Sequence, residues 1–178
     1  MTRVLLVGRF FRAAVGALGL LVAPMADPAM AQRGPGPALE FAAGWVGFAD
    51  DGIVSESLVG GAVRLYVLPR ISIGPEIVYI SGANHNHLTV SANMTWDVVG
   101  SMGASRPRLT PFLVAGAGLF RTRESFPSGA FTSSEGAFTA GGGVRALIRD
   151  RMSVGIDARV GWELHLRING LLGVRLGA

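Results

Sequence analysis

The chain has 178 residues, no cysteine, and 16% charged against 49% hydrophobic residues, whereas a typical soluble protein carries about 25% charged residues. That balance excludes a disordered polar tail, a long coiled coil and a disulfide scaffold. All 16 basic residues are arginine, set against 12 acids, so the basic character reflects missing lysine more than excess charge and is no nucleic-acid footprint.

The N-terminus reads as an export signal. Arg3, Arg9 and Arg12 precede an uncharged run over residues 13–26, and Ala29-Met30-Ala31 supplies small residues around a cleavage point. The run is shorter than the roughly 20 residues of a membrane-crossing helix. Residues 1–31 are therefore expected to be a cleavable signal peptide, cut before Gln32, and residues 32–178 the folded domain. An oxidising compartment would permit disulfides, yet there is no cysteine to form one. Stability must come from burial or from a membrane.

Beyond Gln32 the hydrophobic residues recur with a period of two, the signature of strands. Leu39, Phe41, Ala43 and Trp45 alternate with Glu40 and Gly44; Val59, Val63, Leu65 and Val67 alternate with Arg64 and Tyr66. Ile71, Ile73, Ile77 and Tyr79 oppose Ser72, Gly74 and Glu76, and Leu88, Val90, Ala92, Met94, Trp96 and Val98 oppose Thr89, Ser91 and Asp97. Residues 109–121 are apolar on both faces, which leaves their orientation open. Phe138, Ala140, Val144 and Ile148 oppose Gly141, Gly143 and Arg145. From Met152 to Leu176 every even position is apolar or glycine, while Asp157, Arg159, Glu163, His165, Arg167 and Arg175 hold odd ones. A connection of odd length near residues 164–166 keeps that parity, because a two-residue turn would flip it.

Eight strands follow, at about 38–48, 58–68, 71–81, 87–99, 109–121, 136–149, 152–163 and 166–177. An even number of strands near ten residues long with an apolar outer face is the pattern of an antiparallel up-and-down transmembrane β-barrel. Turns at 68–70 and 149–151 are short, whereas 49–57, 81–87 and 121–135 read as longer outer loops. Residues 100–108 would form a turn on the periplasmic side. A soluble β-sandwich or soluble periplasmic barrel also alternates, but it would present its charges to water. Here glycines at 44, 60, 74, 141, 143, 155, 161, 173 and 177 share the charged face, as a crowded interior requires. Pro75 on the apolar face implies a bulge or a strand start.

The segments Thr110-Pro111-Phe112-Leu113-Val114-Ala115-Gly116-Ala117-Gly118, Gly141-Gly142-Gly143, Arg151-Met152-Ser153-Val154-Gly155-Ile156-Asp157-Ala158-Arg159 and Gly170-Leu171-Leu172-Gly173-Val174-Arg175-Leu176 resemble, in their order, the outer-membrane β-barrel domain family of small OmpA/OmpX-type proteins. The chain closes on Leu176-Gly177-Ala178 rather than on the aromatic residue usual in that family. The resemblance implies a Gram-negative outer membrane, contact with its lipid and lipopolysaccharide, and assembly by the barrel-insertion machinery.

On this orientation Glu40, Glu76, Asp97, Asp157 and Glu163 share the lumen with Arg64, Arg145, Arg159 and Arg175, and reciprocal pairing is required to offset their desolvation. Trp45, Tyr79, Trp96 and Trp162 fall on the outer face, as membrane-interface aromatics. His85 and His87 form a poor metal site by themselves, lacking a cysteine or an evident carboxylate partner, and read as part of a polar outer loop. His165 beside Glu163 offers a distant prospect of lipid-ester hydrolysis, without the expected serine signature. Arg121 and Arg123 stand in a segment suited to lipopolysaccharide phosphates or a host surface. No catalytic residue, metal or cofactor is expected. The functional expectation is a structural or surface-interaction barrel; the alternatives are a narrow porin-like conduit, a lipid-acting enzyme and a soluble barrel.

Overall fold

Alternation of apolar and polar residues becomes eight strands in the computed structural model, which describes residues 36–50, 52–83, 85–98, 109–126, 129–149 and 151–176. The strands are β1 (Ala38–Asp50), β2 (Gly52–Leu68), β3 (Ile71–Ser81), β4 (His85–Asp97), β5 (Leu109–Phe126), β6 (Gly129–Arg149), β7 (Met152–Gly161) and β8 (His165–Arg175). Each pairs antiparallel with its sequence neighbour, and β1 pairs with β8 to close the barrel. The expected signal peptide, and the turn at 100–108, lie outside the described residues.

Odd positions of β5 face outward, from Leu109 through Leu113, Ala115 and Ala117 to Leu119, and even ones face inward, with Phe112, Val114 and Phe120 buried. That settles the strand whose two apolar faces looked alike. The exterior is apolar all round, with Phe41 54% exposed and Ile73, Ile77, Met94, Leu113, Phe138, Ile156, Val160 and Ile168 also exposed. Along β3 the belt runs nine residues, from Ile71 to Tyr79, the length a tilted strand needs to cross a bilayer. A soluble barrel would bear its charges on this surface, so that alternative is set aside.

The outer loops expected at 49–57 and 121–135 are instead ladder. β1 and β2 stay paired out to Asp50 and Gly52, and β5 and β6 out to Phe126 and Gly129. The belt ends below them, where Ser57, Ser81, Asn86, Arg121 and Ser134 replace apolar residues. Backbone pairing needs no apolar face, so polar sequence continues the strands as hairpins beyond the belt. The 81–87 loop contracts likewise, with β4 resuming at His85.

Between β7 and β8 a 3-10 turn, Trp162–Leu164, makes the odd-length connection; Gly161 pairs with His165, and odd positions stay inward on both strands. Trp162 thus leaves the strand assigned to it, and Leu164 closes the turn at φ 44°. Pro75 produces no bulge. The β2–β3 ladder keeps its register but skips from Ala62↔Glu76 to Leu65↔Ile73, leaving a gap where proline has no N–H to donate. The irregularity on this pair lies at Tyr66/Leu68 instead.

Glycines on the inner face let neighbouring backbones approach. A Cβ on Gly141 would sit 2.1 Å from the Ala158 carbonyl oxygen, and one on Gly143 would sit 2.1 Å from that of Ile156. The crowding at these two glycines comes first from the neighbouring strand's backbone, not from an arginine side chain. Such coiling is what closes a sheet on itself.

Candidate functional site

The inner face is layered. Toward the terminal end of the barrel, where β1 begins and β8 ends, Glu40 accepts hydrogen bonds from Arg64 Nη2 at 2.8 Å and from Arg145 Nε at 3.2 Å. Arg145 Nη1 donates to Asp97 at 3.0 Å, and the Tyr66 hydroxyl donates to the same carboxylate at 3.3 Å. The Arg145 guanidinium lies 3.7 Å from the centre of the Phe112 ring, and that of Arg64 lies 5.4 Å from it. Two acids and two arginines make this group neutral.

A second neutral group stands beside it. Arg159 donates to Asp157 at 2.7 Å and to Glu76 at 2.9 Å; Arg167 donates to Glu76 at 2.5 Å; Asn169 donates to Asp157 at 2.6 Å. All of these side chains are buried, Arg159 to 2% exposure. Burying so many charges is tolerable only because each finds partners in a low-dielectric interior. The cavity between the two groups, bounded by Glu40, Arg64, Ser72, Glu76 and Arg159, measures about 10 Å³, room for one water at most.

Seven of the nine residues expected in the lumen, Glu40, Arg64, Glu76, Asp97, Arg145, Asp157 and Arg159, therefore meet in these two groups. Arg167, not among them, is a full member; its odd position on β8, two residues from His165, was the available signal. Arg175 is half-buried at the terminal end, where its backbone N–H donates to the Arg151 carbonyl. The side chain of Glu163 lies outside the described residues.

Charge does not fill the whole interior. Val46, Phe48, Leu58, Val78, Ile80, Phe120 and Ala137 form a buried apolar layer toward the hairpin end, and Phe112, Val114 and Leu171 form a smaller one. The expected rule of polar residues inward fails at these positions because a closed lumen of eight strands is a packed core, which excludes water with any side chains that fit.

Beyond the apolar layer stand three histidines. His87 stacks on Phe120 at 4.9 Å between ring centres, and His165 lies 5.3 Å from Phe48. The Nδ1–H of His165 donates to the Trp162 carbonyl at 2.5 Å. That imidazole is buried inside the barrel, at 5% exposure. His85 and His87 do acquire the carboxylate that their sequence neighbourhood lacked: Glu56 of β2, read as loop, turns inward and touches His85.

On the exterior, Trp45, Tyr79 and Trp162 lie toward the hairpin end and Trp96 toward the terminal end, all exposed. Trp162 packs edge-on against Phe138 and donates from Nε1 to Glu135 at 3.4 Å. Arg121 and Arg123 point outward just past Leu119, the last apolar residue on the outer face of β5.

No family model matches the chain, and no curated protein matches it. Solved structures do. Neisserial surface protein A is similar with a TM-score of 0.67 at 9% identity, over 79% of this chain and 97% of that one. The N-terminal β-barrel domain of Pseudomonas aeruginosa OprF is similar with a TM-score of 0.58 at 12% identity, over 78% and 97%. Ail, the attachment invasion locus protein of Yersinia pestis, is similar with a TM-score of 0.57 at 9% identity, over 80% and 98%. With its closed ring of eight strands and its apolar exterior, the chain has the fold of the small transmembrane β-barrels of Gram-negative outer membranes.

Proposed function

We propose that this protein is a structural and surface-interaction barrel of the outer membrane, anchored by its belt and acting through the hairpins above it, with no catalytic centre. Residues 1–31 direct export and are removed before Gln32, and the barrel-insertion machinery assembles the remainder. Trp45, Tyr79, Trp96 and Trp162 serve as interfacial anchors. The filled lumen supports this reading: among the described residues, two neutral ion-pair groups and an apolar layer leave no continuous polar path, which disfavours a conduit.

The working surface is then the outer rim, where Arg121 and Arg123 meet the level of lipopolysaccharide phosphates. Planar-bilayer recording tests the closed lumen, with no discrete conductance steps expected; steps of reproducible size would favour the conduit. Mass spectrometry of lipid A from cells with and without the protein is expected to show identical species, and a modified species would favour an enzyme. Membrane fractionation places the chain with the outer membrane if the belt is lipid-facing.

A further inference from the structure

Glu56 stands apart from every other buried carboxylate described. Its side chain is 1% exposed, yet neither oxygen has a hydrogen-bond donor of acceptable geometry. Glu40, Glu76 and Asp157, by contrast, are held by arginine or asparagine. What surrounds Glu56 is imidazole: His85 Nε2 touches Oε1, and His87 Nε2 lies 3.7 Å from Oε2.

We propose that Glu56, His85 and His87 form a binding site for one divalent transition-metal cation at the outer mouth of the barrel. One ligand atom from each residue lies within 4.8 Å of the others. The 3.7 Å separation between His87 and the carboxylate is too long for a hydrogen bond, but close to the edge of a tetrahedron built on metal–ligand bonds of about 2.0 Å, roughly 3.3 Å. His87 Nδ1 lies 2.9 Å from the Thr122 hydroxyl. With the ring proton on Nδ1 and donated to that hydroxyl, the Nε2 lone pair points at Glu56, the arrangement by which an outer partner orients a metal-bound histidine. His85 must draw back slightly to admit an ion between itself and Glu56. It can, because it stands at the start of β4 beside the short connection after Gly82, and its side chain is 28% exposed. The same exposure provides the entry path.

Two imidazole nitrogens and one carboxylate oxygen favour zinc, nickel or copper over calcium or magnesium, which take oxygen shells. The ion would tie β2 to β4 across β3, at the level where the outer belt ends. The site is the same whether the barrel's role is structural or conducting.

The test uses the untagged chain folded in detergent micelles, stripped with a chelator and titrated with zinc chloride. Equilibrium dialysis with elemental analysis is expected to give one zinc per chain, with calcium and magnesium not retained. Glu56→Gln and His87→Gln each weaken zinc binding by at least about tenfold, whereas His165→Gln, in the same layer but engaged with Trp162, changes it less than about twofold. Cold-SDS mobility verifies that each variant is folded, and His85→Gln at the exposed edge stands in for any that is not. X-ray absorption of the loaded protein is expected to show two imidazoles in the zinc shell. No retained zinc, or binding undiminished in the His85→Gln/His87→Gln double variant, overturns the proposal and leaves Glu56 and His85 as a simple ion pair.

Discussion

Arg159 and Arg167 are direct partners across the β7–β8 ladder, two guanidinium side chains facing the same buried interior. Like charges placed opposite each other on a sheet repel. Glu76, reaching in from β3, presents one carboxylate oxygen to each arginine, Oε2 to Arg159 and Oε1 to Arg167. One acid thus holds two arginines that would otherwise drive their strands apart.

Glu76→Gln should therefore be among the most damaging changes in the chain. Removing one partner of a buried charged group costs about 3–5 kcal/mol, and here it leaves two cations with only Asp157 between them. Denaturant unfolding in micelles checks this. Arg167→Met added to Glu76→Gln should recover part of the loss, since it removes the repulsion that the single change exposes. Arg159→Leu should likewise cost far more than an exterior change such as Val160→Ala.

Gly141→Val should fail at an earlier stage. A branched Cβ there meets the Ala158 backbone, which cannot move without opening the β6–β7 ladder. The expected result is loss of the heat-modifiable band on electrophoresis, with protein that remains unfolded or aggregated. The same replacement at Gly136, whose Cβ position is open, should fold normally.

Phe112→Leu keeps the interior apolar but removes the ring that Arg145 and Arg64 share. A desolvated cation–π contact contributes about 2 kcal/mol, so a loss near that size, plus a smaller packing loss, is expected from equilibrium unfolding. Phe112→Trp offers a better cation acceptor but a larger side chain, and its effect should be smaller than that of Phe112→Leu if the ring's face matters more than its volume.

Arg121→Ala and Arg123→Ala together should leave unfolding unchanged, because both side chains are exposed beyond the belt. Binding of the folded barrel to lipopolysaccharide micelles should weaken, and added salt should narrow the difference from the parent chain. Equal binding at low salt would remove the arginines from the proposed rim surface.

The strands are legible along the chain because in–out alternation is a local property: each side chain's face depends on its immediate neighbours in the pleat. The upper hairpins are not. Ser55, Ser57, Arg121 and Arg123 are polar on the outer face, and a membrane pattern ends where lipid ends even though the ladder continues. The inner apolar layer left a trace in Val46 and Phe48, which share the parity of Glu40, and in Val78 and Ile80, which share that of Glu76; Phe112 and Val114 left none, because residues 109–121 are apolar on both faces. Glu56 shares the even parity of Leu58 and Arg64, a sign of an inward position that is visible only once β2 is known to extend so far.

By itself, then, the sequence determined that this chain makes strands, how many, and which faces of most of them meet hydrocarbon, since burial period and strand length follow from short-range geometry. Only the closed ring decided which acid meets which arginine and that Glu56 meets two histidines. Glu76 and Arg159 are 83 residues apart, and Glu40 and Arg145 are 105 apart; such partners are chosen by strand tilt and stagger around the barrel, which no stretch of chain encodes alone.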